Sequence, residues 1–323
     1  MNPFQPGRLS IGTAALGGLY AEVTVADAMA TLERAVARGI THFDTAPHYG
    51  RGLAESRLGD FLRTADGAGR LTVSTKVGRY VRDLDQRDAG DIFLGAPPGE
   101  SVFDFSRKAV AEQLDQSRQR LGREFIDVVL VHDPDEHLDE ALVAIDELTS
   151  QREAGRVGAL GVGTNTASVV SHLVDRVDLD VVVLAGRITL LESSGESAAK
   201  RCRDLGITLL AAGVFQSGIL AGGVDAPFDY GPAPESVRTR VIELERVCSA
   251  HGVSLQQVAI NHPRRFTGVT STLVGVRSAD EVDQAVDAIS LDLPDVLWED
   301  IDLLRARFGQ RSEPQTKGQG EQR

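Results

Sequence analysis

Residues 39–59 read GITHFDTAPHYGRGLAESRLG. A helix-stopping glycine opens the stretch, a short apolar run closes on Asp44, and Tyr49 stands five residues later. Two further apolar runs close on polar residues in the same way, LTVSTK on Lys76 and DVVLVH on His132. Proton-handling side chains at or just past the ends of separate strand-like runs are what a barrel of parallel strands produces. Its C-terminal rim collects residues from distant parts of the chain.

Eight such runs recur, at 9–12, 41–46, 71–77, 127–133, 159–164, 180–186, 208–214 and 271–276. They are rich in β-branched residues and mostly continuous rather than alternating, as strands covered on both faces are. Helical spacing fills the gaps, and the helices over 25–39, 111–122 and 138–155 stop at Gly39, Gly122 and Gly155. The alternation predicts a single (β/α)8 TIM barrel over residues 1–310, not an open doubly wound sheet. Two long aperiodic loops follow the third and seventh strands, at 78–106 and 222–235. The first comes directly after Lys76 and is expected to cover the site. Residues 311–323 are polar and expected to form a disordered tail.

The chain has 323 residues and a formal net charge of −13, with no basic cluster, so nucleic acid and anionic membranes are poor partners. Hydrophobic residues make up 42%, enough for a large core. The two cysteines, Cys202 and Cys248, lack CxxC spacing, so neither a disulfide framework nor a zinc site is expected. No metal site is read elsewhere. The N-terminus has no charged segment followed by an apolar one, and no apolar run approaches the roughly 20 residues of a membrane helix. A soluble, cytoplasmic protein is expected, with its oligomeric state unspecified. No GxGxxG is followed by an acidic residue at dinucleotide spacing, which sets a Rossmann domain aside.

Singly, each polar residue has an ordinary explanation: Asp44 as a turn former, Tyr49 as a packed ring, Lys76 as a solvated chain end, His132 as a structural histidine. Together they compose an acid–base site. A tyrosine hydroxyl titrates near pH 10, too high for an easy base, and an adjacent ammonium stabilises its anion. Lys76 can supply that charge, Asp44 can hold the ammonium, and His132 can hydrogen-bond a substrate oxygen. Of the neighbours, His48 is read as lining the substrate mouth or as packing beside it. His42 is expected on the barrel exterior and Asp133 as a loop former.

The Asp44–Tyr49–Lys76–His132 pattern resembles the catalytic tetrad of the aldo/keto reductase superfamily. FDTAPHYGRGLAESRLG, VSTKVGR, DVVLVHDPD, GVFQSGILA and TLVGVRSADEV extend the likeness from about Leu9 to Phe308. They resemble the subgroup that includes D-threo-aldose 1-dehydrogenase and, less closely, plant L-galactose dehydrogenase. The resemblance implies a barrel that oxidises the C1 hydroxyl of an aldose to the lactone with NAD or NADP, Tyr49 being the base. Other outcomes of the same resemblance are a reductase of small aldehydes or ketones, a pyridoxal dehydrogenase, and a non-catalytic cofactor-binding regulatory subunit. A Schiff-base lyase using Lys76 is a further barrel alternative.

The resemblance also implies cofactor contacts. Thr164 and Asn165 stand where relatives carry a Ser-Asn pair for the nicotinamide carboxamide, with a helix cap as the alternative for Asn165. Ala212 or Gly213 replaces a stacking Tyr, and Phe215 lies nearby or in the core. Gln216, where the subgroup has Asn, Ser217 and Gly218 offer a cofactor backbone room to approach. Gly275, Arg277 and Ser278 open the last helix, whose free N–H groups suit a phosphate. Glu281 takes the place of an Arg that grips the 2′-phosphate in NADP-dependent relatives. A carboxylate there favours NAD, while Ser278-x-x-Glu281 is also a capping box.

Overall fold

The structure is a computed structural model and describes residues 4–65, 71–82, 92–229 and 231–310. The predicted tail at 311–323 lies outside the described residues. Among the described residues there are ten strands: β1 (Leu9–Gly12), β2 (His42–Asp44), β3 (Thr72–Val77), β4 (Arg79–Arg82), β5 (Glu100–Phe103), β6 (Ile126–His132), β7 (Val157–Thr164), β8 (Val181–Ala185), β9 (Thr208–Ala212) and β10 (Ser271–Gly275). Eight of them close a parallel barrel in the order β1-β10-β9-β8-β7-β6-β3-β2. These are the eight apolar runs of the sequence, trimmed or extended by a residue or two at their ends.

The helices are α1 (Val25–Ala37), α2 (Leu53–Thr64), α3 (Arg107–Leu121), α4 (Leu138–Glu153), α5 (Ala167–Val174), α6 (Glu196–Leu205), α7 (Ile219–Gly222), α8 (Glu235–Ala250), α9 (Leu255–Asn261), α10 (Ala279–Ile289) and α11 (Asp295–Gln310). Gly122 closes α3 in the left-handed conformation at φ 66°, which returns N–H groups to the last carbonyls, Arg118 and Gln119.

One expectation needs correcting. The connection after β3 is not all loop: β4 and β5 pair antiparallel, Arg79 opposite Phe103 and Arg82 opposite Glu100. They form a two-stranded ribbon outside the barrel. Each strand is only four residues long and its partner stands some twenty positions away, so neither shows a local period.

Strand alternation builds the site. In β6, Val129 and Val131 face outward into the core shared with the helices, while Val128 and Leu130 face the barrel interior, with His132 next on that face. In β3, Val73 and Val77 face out, which turns Ser74 and Lys76 inward. In β2, Phe43 faces out and Asp44 faces in. His42 shares the parity of Asp44, so it is inside the barrel, edge-on to Phe4 with ring centroids 4.8 Å apart. The expectation that it packs on the exterior is wrong for that reason. Phe4, Leu210, Val181 and Leu273 complete the floor beneath the polar rim.

A buried lock ties the barrel to its helices. Glu55 on α2 is fully buried. It accepts hydrogen bonds from Thr75 Oγ1 on β3 at 2.5 Å and from Arg120 Nε on α3 at 2.7 Å.

Candidate active site

Asp44, Lys76 and His132 end or nearly end three strands, and Tyr49 stands on the turn after β2. That turn is clamped from below. Gly50 is left-handed at φ 61°, and a Cβ there would come within 2.3 Å of the Gly17 carbonyl oxygen, so only glycine lets the two loops meet. Lys76 Nζ donates to Asp44 Oδ2 at 2.7 Å, to the Thr45 carbonyl at 2.9 Å and to Tyr49 Oη at 3.0 Å. Its side chain is 2% exposed. A Cβ at Gly163 on β7 would lie 3.5 Å from Lys76 Cε, in ordinary contact, so the lysine stem packs directly along the β7 backbone. The network continues below: Ser74 Oγ donates to Asp44 Oδ1 at 2.7 Å, and His42 Nε2 lies 3.1 Å from the same hydroxyl.

Electrostatics follow from burial. Desolvation pushes the Tyr49 hydroxyl up to about 12, against the pull of the Lys76 ammonium. The lysine therefore offsets part of a larger shift and does not bring the tyrosine below its ordinary value. Burial works against the Lys76 charge, but Asp44 and the Tyr49 oxygen outweigh it and raise its pKa. His132 is held well below the usual histidine range by burial, with Lys76 and Arg79 adding to the effect. Its imidazole is neutral at pH 7.

Above the tetrad opens a cavity of about 320 Å³. Its walls carry Asp44, Tyr49, Lys76 and His132 together with His48, Thr164 and Asn165. His48 therefore lines the cavity; its Nδ1 lies 2.9 Å from Ser101 Oγ and its ring packs edge-on against Phe93. Sequence reasoning missed Leu19, Arg79, Ile92, Phe93 and Asp133, which also line it. Arg79, Ile92 and Phe93 come from the segment after β3, so that segment does reach the site. Its residues 83–91 lie outside the described residues. Asp133 directly follows His132, and that position at a strand's C-terminal end was the available signal.

A second groove, of about 420 Å³, is lined by residues next in the chain to some of the cavity's: Leu19 and Leu273 line the one, their neighbours Tyr20 and Val274 the other. Small residues form its wall, among them Ser217, Gly218, Gly222 and Gly275. At Gly275 a Cβ would meet nothing nearer than the Gly12 carbonyl oxygen at 4.0 Å, so the rim there is open. The N-terminus of α10 faces the same groove through Arg277 and Glu281.

The sequence profile of the Aldo/keto reductase family matches residues 8–306. The chain belongs to the aldo/keto reductase family. It is an NAD(P)-dependent oxidoreductase. It is similar to a pyridoxal 4-dehydrogenase from Microbacterium luteolum, at 38% identity with 90% of this chain and 91% of the relative covered. A D-threo-aldose 1-dehydrogenase from Pseudomonas is 34% identical, with coverages of 91% and 92%. Among solved structures, a glycerol dehydrogenase from Gluconobacter oxydans superposes with a TM-score of 0.76 over 96% of this chain and 95% of that one. At 21% identity it speaks to the fold alone.

In this aldo/keto reductase the expected cofactor residues divide. Phe215, Ser217, Gly218, Gly275, Arg277 and Glu281 line the groove. Gln216 does not: it is buried, and its Nε2 donates to the Gly186 carbonyl at 3.0 Å and lies 3.3 Å from Thr189 Oγ1. Its side chain anchors the loop. Gln216 and Ser217 are both left-handed, at φ 49° and 59°, a strained pair that such anchoring holds in place. Ser278 is the N-cap of α10 and accepts from Glu281 N at 3.2 Å. The cap differs from the expected box, because the Glu281 carboxylate accepts from Arg277 N at 2.9 Å instead of Ser278 N. Asn165 is not a helix cap, since Thr166 holds that position before α5. Its amide carries no hydrogen bond among the described residues and lines the cavity. The Thr164 hydroxyl is held by Asp135 at 3.0 Å. No helix among the described residues is long and apolar enough to cross a membrane.

Proposed function

We propose that this reductase family member works as a dehydrogenase on the C1 hydroxyl of an aldose, giving the lactone, with Tyr49 as general base. The observation that carries the reading is the continuous Asp44–Lys76–Tyr49 hydrogen-bond chain lining a cavity of about 320 Å³, with a second groove of about 420 Å³ lined in part by residues next to the cavity's in the chain. Small-residue walls, a helix N-terminus and the unpaired Asn165 amide fit a dinucleotide. A nicotinamide bound there supplies the hydride acceptor. The Tyr49 phenolate, stabilised by the Lys76 ammonium, takes the proton of the substrate hydroxyl and becomes the neutral phenol. Asp44 keeps that ammonium charged and aimed. Neutral His132 hydrogen-bonds the substrate oxygen and orients it toward Tyr49. In the reducing direction Tyr49 returns the proton.

Asn165 would hold the carboxamide, while Ser217, Gly218, Gly275 and the start of α10 would hold the phosphates. NAD is the proposed cofactor. Glu281 lies 3.4 Å from Arg277 and offsets the positive charge a 2′-phosphate would seek, while its carboxylate can accept from a ribose hydroxyl. The assembled tetrad favours turnover over a purely regulatory role. A cytoplasmic site of action is part of the same proposal.

A second reading is favoured by the Leu19, Ile92 and Phe93 wall and by the 38% identical relative: pyridoxal as substrate. Its aldehyde can close on the neighbouring hydroxymethyl group into a cyclic hemiacetal, so the same kind of carbinol carbon would meet Tyr49. A panel of L-fucose, D-arabinose, L-galactose and pyridoxal with NAD and with NADP, following reduced cofactor and lactone, tests both. Lactone from an aldose is the expected result. Turnover of pyridoxal alone, or only NADPH-dependent aldehyde reduction, overturns the aldose reading.

A further inference from the structure

We propose that Arg79 and Asp133 are a specificity pair that reads adjacent hydroxyl groups on the substrate and so selects a polyol. The proposal rests on the aldose reading and names the part of the cavity that would recognise the sugar beyond its reacting carbon.

Asp133 follows His132 directly, and its backbone is left-handed at φ 48°. A non-glycine residue there is strained, and the strain places its carboxylate on the cavity wall beside the neutral imidazole. Arg79 Nη1 donates to Asp133 Oδ2 at 2.8 Å, and the same oxygen is 3.6 Å from His132 Nε2. The guanidinium lies over the Phe103 ring at 5.4 Å, which fixes its plane. Both side chains of the pair are 25% exposed, so they are partly desolvated yet reachable.

The pair is only half satisfied. Among the described residues Asp133 Oδ1 accepts no hydrogen bond, and Arg79 donates none beyond the one to Asp133. A carboxylate oxygen accepts from a hydroxyl; a guanidinium N–H donates to a hydroxyl oxygen. Two neighbouring sugar hydroxyls answer both at once. Leu19, Ile92 and Phe93 in the same cavity lining carry no polar side-chain atom, whereas Arg79 and Asp133 offer both a donor and an acceptor. A substrate without hydroxyls leaves the pair desolvated and unanswered, and sites built on buried polar groups discriminate strongly for that reason.

The test is a cycle of enzyme variants against deoxy sugars. Asp133→Asn keeps the side-chain shape and tolerates the left-handed backbone; Arg79→Met removes the donor. With the intact aldose, each variant should lose on the order of 10- to 100-fold in kcat/KM, mainly through KM. With the 2-deoxy or 3-deoxy sugar that removes the recognised hydroxyl, wild type should already show that loss and the variants should add little to it. An equal further loss on intact and on every deoxy sugar would mean the pair only holds the loop, which overturns the proposal and leaves the aldose reading standing. Wild type that oxidises aldoses with no penalty for either deoxy sugar overturns it without any variant, so a misfolded variant does not block the test. Wild type that turns over pyridoxal and no aldose overturns both.

Discussion

In the proposed mechanism Tyr49 carries the chemistry, because its surroundings make its proton worth moving. With its pKa at about 12 the residue is a phenol at neutral pH. Oxidation needs the phenolate and reduction needs the phenol, so the oxidation rate should climb with pH through the alkaline range while reduction does not. Tyr49→Phe should lower turnover by on the order of 10² or more, since the proton path is lost. Its affinity for NAD, read by fluorescence titration, should stay close to wild type; near wild-type turnover would refute the mechanism. Lys76→Met removes the cation that opposes burial, so the Tyr49 pKa should rise further and the oxidation profile move to higher pH. The same change strands the buried Asp44 carboxylate, at a cost of about 3–5 kcal/mol, so thermal unfolding must be measured beside the kinetics. A profile that does not move, with activity kept, would make Lys76 structural.

At the scale of elements, two contacts are open to test. Glu281 and Arg277 share charge at the start of α10. Glu281→Arg should narrow or reverse a preference for NAD over NADP, measured as the ratio of the two Michaelis constants, and leave the sugar range alone. Glu281→Gln keeps an acceptor for Arg277 N and controls for the cap, whose loss can cost roughly 0.5–2 kcal/mol. A wild-type preference for NADP would count against the carboxylate argument. In the α2–β3–α3 lock, Glu55→Ala leaves Arg120 without its buried partner and should destabilise the fold by about 3–5 kcal/mol in urea unfolding. A loss under about 1 kcal/mol would show the ion pair to be replaceable by water.

For the whole molecule, buried neutral histidines set the acid limit. Burial holds His42 down to about 4 and His132 and His262 well below their ordinary value. Unfolded, each takes up a proton below about pH 6.5. The unfolded chain then binds more protons than the folded one, so stability falls as pH drops from there and levels off only near the folded pKa values. His262 lies far from the tetrad in sequence, packed against Phe266 and Trp298 with neither ring nitrogen hydrogen-bonded among the described residues. His262→Phe should flatten the decline of Tm between pH 6.5 and 4 without changing the kinetics. An unchanged slope would assign the acid lability elsewhere.

The barrel and the tetrad were legible in the chain itself. Both depend on local signals: continuous apolar runs that only a doubly covered strand explains, glycines at helix ends, and polar residues closing the runs at Asp44, Lys76 and His132. What the sequence left open depends on partners far away. His42 could be placed only once strand parity was read against Asp44, and β4 and β5 only once each found the other. Gln216 looked free for a cofactor until the fold brought Gly186 and Thr189 to its amide. Arg79 and Asp133 stand 54 positions apart, and nothing local to either announces the other. Periodicity and capping are written within a few residues, whereas hydrogen-bond partners and cavity walls are set by closure of the barrel, which only the tertiary structure decides.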